Sequence, residues 1–287
     1  MDEKKVIGVD IGGSHITAGV VNLATHSMEE NTIVRKKVDS KGGKELILDA
    51  WTNCIREVQK KSDPNFQIGI AMPGPFDYAG GISWIIDQGK FKELYGVNVK
   101  SLLAKSLGIS EGQIRFENDA ACFLQGEVCC GVGIGVKKAI GLTLGTGLGS
   151  SRYSGGFAKD AALWSSPFRG KILEDYISTR WFTQNYKERT GKSIKGVKEI
   201  IEDNENQGVV KDLGREFGQS LAEFLEKIIS KDHPEIILLG GNICKAAHIF
   251  LPFLEEKLNQ KGISVPVKIS ELGEKAALMG AAHCWAF

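Results

Sequence analysis

Apolar and polar positions along the chain alternate between two periods. Residues 6–10 form a short apolar run rich in β-branched side chains, Gly12 and Gly13 follow, and residues 16–23 are again strand-like, so the chain opens with a strand–turn–strand signature. A third strand is expected within 29–38. Over 44–60 the period changes to 3.6: Ile47, Trp51, Cys54, Ile55 and Val58 share one face of a predicted helix, which makes Trp51 a core residue. Residues 67–72 read as a buried strand stopped by Pro73-Gly74-Pro75. No period governs 76–97, which reads as a long loop of the kind that carries function. A helix over 98–107 and a strand over 113–117 come next, and Asn118 or Asp119 caps a helix running to about Cys130. Residues 139–144 form another apolar strand, ending in Gly145-Thr146-Gly147. The stretch 168–229 is predicted mostly helical, with Val210, Leu213, Phe217, Leu221, Phe224 and Ile228 on one face. A strand over 236–239 ends at Gly240-Gly241. A helix, a strand near 264–269 and a last helix near 274–286 complete the chain.

One internal repeat stands out. Ile7-Gly8-Val9-Asp10-Ile11-Gly12 superposes on Ile140-Gly141-Leu142-Thr143-Leu144-Gly145, with isoleucine and both glycines coincident. Each copy is an apolar strand that runs into a small-residue turn and then a second strand. A duplicated lobe accounts for this; chance recurrence of glycine-rich hairpins is the plainer alternative.

Composition narrows the class. The 287 residues suit two domains. Apolar residues make up 42% and charged residues 25%, ordinary for a globular protein. A formal net charge of +1 gives no electrostatic reason to expect nucleic acid or an acidic membrane as partner. No apolar run reaches the roughly 18 residues of a membrane span, and the first residues lack a secretion signal, so a cytoplasmic location is expected. The six cysteines form no C-x-x-C pair and read as reduced core residues, Cys129-Cys130 as helix packing. His26, His233, His248 and His283 are scattered and suggest no site. His15, just past the first turn, reads as a turn or surface residue.

The glycine turns carry the candidate chemistry. A tight glycine turn aims several backbone N–H groups at one point and lets a phosphate approach closely. Gly12-Gly13-Ser14 and Gly145-Thr146-Gly147 both fit, and Gly240-Gly241 stands at a third strand end. None matches the dinucleotide fingerprint or the P-loop. Asp10, on the edge of the first turn, is either a turn cap or a carboxylate that meets a polyphosphate through Mg²⁺. Asn118 offers a donor and an acceptor suited to a hydroxyl. Asp119 is either part of a helix cap or the base that accepts a hydroxyl proton during phosphoryl transfer.

In their order along the chain, Asp10-Ile-Gly-Gly-Ser14, Ala71-Met-Pro-Gly-Pro-Phe-Asp77, Glu117-Asn-Asp-Ala-Ala121, Leu144-Gly-Thr-Gly-Leu-Gly149 and Leu239-Gly-Gly-Asn242 resemble the ROK family (repressors, open reading frames and kinases) of sugar kinases. The resemblance covers nearly the whole chain. It implies an α/β fold of two RNase H-like, actin/hexokinase-type lobes with an interlobe cleft, the first holding 1–117 plus 273–287 and the second 118–272. It implies ATP phosphates at Gly12, Gly13, Ser14, Gly145, Thr146 and Gly147, adenosine near Gly240, Gly241 and Asn242, and Mg²⁺ held by Asp10 through water. It makes Asp119 the general base and Asn118 its sugar-hydroxyl partner, and it places Gly74, Gln88 and Glu174 at the sugar. The activity implied is ATP-dependent phosphorylation of a hexose or N-acetylhexosamine hydroxyl, O6 by analogy, in a homodimer. The chain departs from the family at 160–174, where a Gly-His pair and C-x-C-G-x-x-G-C-x-E commonly bind a structural zinc. This segment has no Cys and no His, so no structural zinc is expected, and Trp164, Ser165 or Ser166 stand where sugar-contacting Glu and His would be. Glu174 and Ser178 match the motif's end. Two rivals follow from the same family: a repressor, which carries a helix-turn-helix before the first glycine turn where only nine residues precede Asp10, and a catalytically silent sugar or nucleotide sensor.

Overall fold

The computed structural model describes residues 4–62, 66–86 and 89–286. The chain divides into two compact units, Met1–Ile134 with Glu274–Phe287, and Gly135–Gly273.

In the first unit β1 (Lys5–Ile11) turns back into β2 (His15–Asn22), and β3 (Ser27–Met28) and β4 (Val34–Lys37) both pair with β2. Helix α1 (Lys44–Gln59) leads to β5 (Gln67–Met72), which lies parallel to β1. The stretch read as an aperiodic loop holds a two-residue hairpin, β6 (Phe76–Asp77) with β7 (Ile82–Ser83). Helix α2 (Val99–Leu107), β8 (Ile114–Asn118) parallel to β5, and α3 (Asp119–Cys130) follow. The sheet order is β3-β2-β1-β5-β8. Its inward side chains meet the apolar face of α1, where Trp51, Cys54, Ile55 and Val58 are wholly buried.

The second unit repeats this plan. β9 (Lys138–Leu144) turns back into β10 (Leu148–Ser154), which pairs with β11 (Phe157–Asp160). The next segment is a short hairpin rather than a helix: β12 (Pro167–Phe168) with β13 (Lys171–Ile172). Leu163, Phe168, Leu173 and Ile177 anchor it in the core. Arg169 holds its tip, bonding Ser220 at 3.0 Å and Glu223 at 2.5 Å and lying over the Phe168 ring. Helices α4 (Thr179–Thr190), α5 (Val197–Ile201) and α6 (Gln207–Asp232) follow, then β14 (Ile236–Gly240), α7 (Ala247–Gln260) and β15 (Val267–Ile269). The sheet order is β11-β10-β9-β14-β15, with β14 parallel to both β9 and β15.

Each unit thus places the repeated glycine-bearing strand, β1 or β9, between an antiparallel hairpin partner and a parallel neighbour. The shared topology supports duplication over chance recurrence.

The last helix, α8 (Lys275–His283), returns to the first unit. A Cβ on Gly280 would lie 1.7 Å from the Cys122 carbonyl oxygen, and one on Gly126 would lie 2.0 Å from that of Ala276, so the backbones of α3 and α8 touch directly. This contact assigns α3 to the first unit. The division therefore falls after α3, not before it at 117–118 as the resemblance implied. Among the described residues, no helix is long and apolar enough to cross a membrane.

Candidate active site

Asp10 sits near the end of β1, its backbone flanked by Thr17 on β2 and Ala71 on β5. Beyond it the hairpin closes with the Gly12 N–H donating to the His15 carbonyl at 2.9 Å. The Gly12 N–H is therefore spent inside the turn. Gly13 and Ser14 are exposed, and their N–H groups have no acceptor among the described residues. His15 Nδ1 lies 2.9 Å from Ser14 Oγ, which fixes that hydroxyl at the turn's tip.

Burial pushes the Asp10 carboxyl up to about 7, and the nearby charges of Asp119 and Glu274 add to the rise, while Arg35 and Lys90 oppose it. The coupling to Asp119 shows two carboxylates drawn into one neighbourhood. Hard oxygen donors of this kind suit Mg²⁺, which binds through one or two carboxylates and keeps several waters.

Lys90 was not singled out by any sequence signal. A Cβ on Gly13 would meet its Cδ at 3.5 Å, so the side chain runs beside the first glycine turn. Its neighbour Phe91 sets it there: Phe91 is wholly buried, stacks edge-on with Trp51 at 5.2 Å, and donates its N–H to the Ser40 carbonyl at 2.6 Å. The aperiodic loop hides this cation because only long-range packing brings it to the turn.

Asn118 ends β8 and caps α3. Its Oδ1 accepts the Ala121 N–H at 3.0 Å, so its Nδ2 faces Tyr78 Oη at 3.2 Å. Tyr78 Oη in turn donates to the Met72 carbonyl at 3.2 Å, which leaves an oxygen lone pair to accept from Asn118. This chain fixes the amide's orientation and leaves it one acceptor site and one N–H. Asp119 stands at the first helical position, where the helix dipole favours a negative charge, and its Oδ1 accepts the Ala120 N–H at 2.9 Å. Gly74 lies beside the same tyrosine: a Cβ there would be 3.2 Å from Tyr78 Oη. Gln88 lies outside the described residues.

In the second unit the Gly145 N–H donates to the Gly147 carbonyl at 3.1 Å, and the Gly145 carbonyl accepts from the Thr179 N–H at 2.8 Å and Thr179 Oγ1 at 2.9 Å. Thr146 is exposed at the tip. Glu174 braces the other side. Its Oε2 accepts the Leu148 N–H at 2.9 Å and would be 2.6 Å from a Cβ on Gly147. Its Oε1 has no hydrogen-bond partner among the described residues. Gly240 ends β14, Gly241 has φ +88°, and its Cβ position is filled by the backbone of Leu144. The strand ends carrying Gly145 and Gly241 therefore abut, with exposed Asn242 next in line. Trp164 is exposed, and Ser165 Oγ is turned back to the Ala162 carbonyl at 3.2 Å.

Asp10, Asp119, Asn118, Gly74, Gly13 and Ser14 thus belong to the first unit, and Gly145–Gly147, Glu174 and Gly240–Asn242 to the second.

The sequence pattern of the ROK family matches residues 6–161 and 165–286. A glucokinase from Thermotoga maritima is 26% identical over 324 aligned positions that cover 98% of this chain and 97% of the relative. An N-acetyl-D-glucosamine kinase from Haemophilus influenzae is 23% identical, covering 96% and 97%. Among solved structures, a ROK family glucokinase from Streptomyces griseus, in complex with glucose and AMPPNP, superposes with a TM-score of 0.78 at 24% identity and 98% coverage of both chains.

Proposed function

The chain belongs to the ROK family, and from that membership we propose that it is a sugar kinase, transferring the γ-phosphoryl group of ATP to a hydroxyl, O6 by family analogy, of a hexose or N-acetylhexosamine. The observation that carries this reading is Asp119 at the first turn of α3, beside the oriented Asn118 amide and electrostatically coupled to Asp10.

Asp119 accepts the proton of the attacking hydroxyl, whose oxygen bonds to the γ-phosphorus as the bond to ADP breaks. Asn118 orients that hydroxyl with the donor and acceptor left free by Ala121 and Tyr78. Gly74 and Gln88 complete the sugar side in this reading, with Glu174 Oε1 available to a hydroxyl. The N–H groups of Gly13 and Ser14 and the Gly145-Thr146-Gly147 turn hold the polyphosphate. Gly240, Gly241 and Asn242 serve the adenosine. Asp10 would hold Mg²⁺ through water; the ion, when bound, neutralises phosphate charge. Lys90 supplies a second cation beside the first turn. A homodimer is the assembly proposed by family analogy, and light scattering measures it.

The test is a coupled ADP-release assay with Mg-ATP against hexoses and N-acetylhexosamines, with Asp119→Asn as control. Turnover with one sugar, lost in the variant, establishes the kinase and names its substrate. Silence across the panel would mean either an unusual acceptor shaped by the altered 160–174 segment or the sensor.

A further inference from the structure

Three residues remote in sequence converge in the first unit, on the side of α8's last turn. His26 stands in the turn between β2 and β3, Cys130 ends α3, and His283 ends α8. This corrects the sequence reading, in which the histidines were scattered and Cys130 was helix packing. His26 Nδ1 lies 3.0 Å from His283 Nε2, Cys130 Sγ lies 3.9 Å from the same nitrogen, and all three atoms fall within 4.8 Å of one another.

We propose that His26, Cys130 and His283 form a binding site for a thiophilic divalent cation, zinc foremost, independent of the sugar-kinase site. Two imidazoles and a thiolate are the donors zinc prefers, at about 2.0–2.1 Å for nitrogen and 2.3 Å for sulfur. A tetrahedron of those bonds has edges of roughly 3.4–3.6 Å. The observed 3.0 and 3.9 Å separations bracket that edge.

The tautomer is already set for metal binding. His283 Nδ1 faces the Met279 carbonyl at 2.7 Å, and a carbonyl only accepts, so Nδ1 carries the proton. The Nε2 lone pair then points at His26 and Cys130. A ligand imidazole held by a hydrogen bond from its other nitrogen is the usual arrangement around zinc. His283 is buried, Cys130 half-buried, and His26 exposed, which leaves a route for the ion and a fourth position for water. His26 also adopts φ +51°, a left-handed conformation that a non-glycine residue holds at a cost. That conformation presents its ring parallel to His283, with centroids 5.2 Å apart. Binding displaces the Cys130 thiol proton to the buffer. The bound ion would clip the β2–β3 turn to the ends of α3 and α8.

Cobalt(II) is the probe. Titrated into the full chain stripped of metal, one equivalent should produce a thiolate-to-cobalt charge-transfer band with the intense visible bands of a tetrahedral site, and zinc should bleach both. Cys130→Ser should abolish the charge-transfer band, whereas Cys129→Ser and Cys284→Ser should keep it. His26→Ala alters only an exposed turn and should weaken binding by about 100-fold or more, since even outer-shell losses cost 10–100-fold. Zinc should raise the melting temperature of the parent chain and not of His26→Ala. No charge-transfer band in the parent chain, a band that survives Cys130→Ser, or unchanged affinity in His26→Ala would each overturn the proposal and leave His26 and His283 as a plain hydrogen-bonded pair.

Discussion

The carbonyl oxygen of Leu144 occupies the place where a side chain on Gly241 would begin: a Cβ there would lie 2.4 Å from it. Two parallel strands, β9 and β14, thereby end in contact, and the turn that starts at Gly145 rests on the backbone of Gly241. Gly241→Ala meets this contact and a φ of +88° together. The backbone conformation alone costs about 1–3 kcal/mol for a non-glycine residue. The variant should melt several degrees lower and raise the KM for ATP by about tenfold, the equivalent of 1.4 kcal/mol. The sugar KM should hold. Steady-state kinetics with each substrate varied in turn check this.

Asp119→Asn should lower kcat by on the order of 10²–10⁴ while the protein melts as the parent does. The amide keeps an oxygen for the Ala120 N–H, so the start of α3 survives. What it loses is basicity. Unchanged turnover in this variant would remove Asp119 from the chemistry.

The raised Asp10 carboxyl gives a pH dependence with a definite sign. Its ordinary value is 3.8 and its folded value about 7. Between those values the folded chain holds a proton that the unfolded chain has released, so this group's contribution to stability is full below about pH 4 and is lost as pH rises through about 7. Asp10→Asn cannot ionise. Without Mg²⁺, its stability relative to the parent chain should improve steadily from pH 4 to 8, and added Mg²⁺ should favour the parent. Urea melts at three pH values, with and without Mg²⁺, measure both.

Tyr78 links the Met72 carbonyl to the Asn118 amide. Tyr78→Phe removes that hydroxyl and should cost about 0.5–1.5 kcal/mol for each hydrogen bond lost. The Asn118 amide keeps its bond from the Ala121 N–H but loses the partner that steadies its Nδ2, so the sugar KM should rise while the ATP KM stays. A variant with both constants unchanged would take Tyr78 out of sugar positioning.

The parts of this site that could be read from sequence are those written locally. Gly12-Gly13, Gly145–Gly147 and Asn118-Asp119 each announce a turn or a cap within a few residues, and Trp51 showed its burial through helical period alone. Lys90 and Tyr78 gave no such signal. Lys90 reaches the first turn only because Phe91 is seated on Trp51, and Tyr78 reaches Asn118 across 40 positions. His26 and His283 are 257 positions apart, and Cys130 and His283 are 153 apart, with none of the short spacings that mark a zinc motif. The hairpin at 167–172 escaped for another reason: its strands are two residues long, too short for any period to show.

Glu174 Oε2 receives the Leu148 N–H and so braces the Gly145–Gly147 turn, and in the proposed function Oε1 is left for a sugar hydroxyl. Glu174→Ala leaves a buried N–H without its acceptor, at about 1–3 kcal/mol, and should lower stability and raise the KM for both substrates. In Glu174→Gln the amide oxygen can still accept from Leu148, so stability and the ATP KM should return toward the parent values. The NH₂ group then replaces the acceptor on the other side, and the sugar KM should remain raised by about tenfold, or 1.4 kcal/mol. A sugar KM that recovers fully in Glu174→Gln would assign this residue to the turn alone.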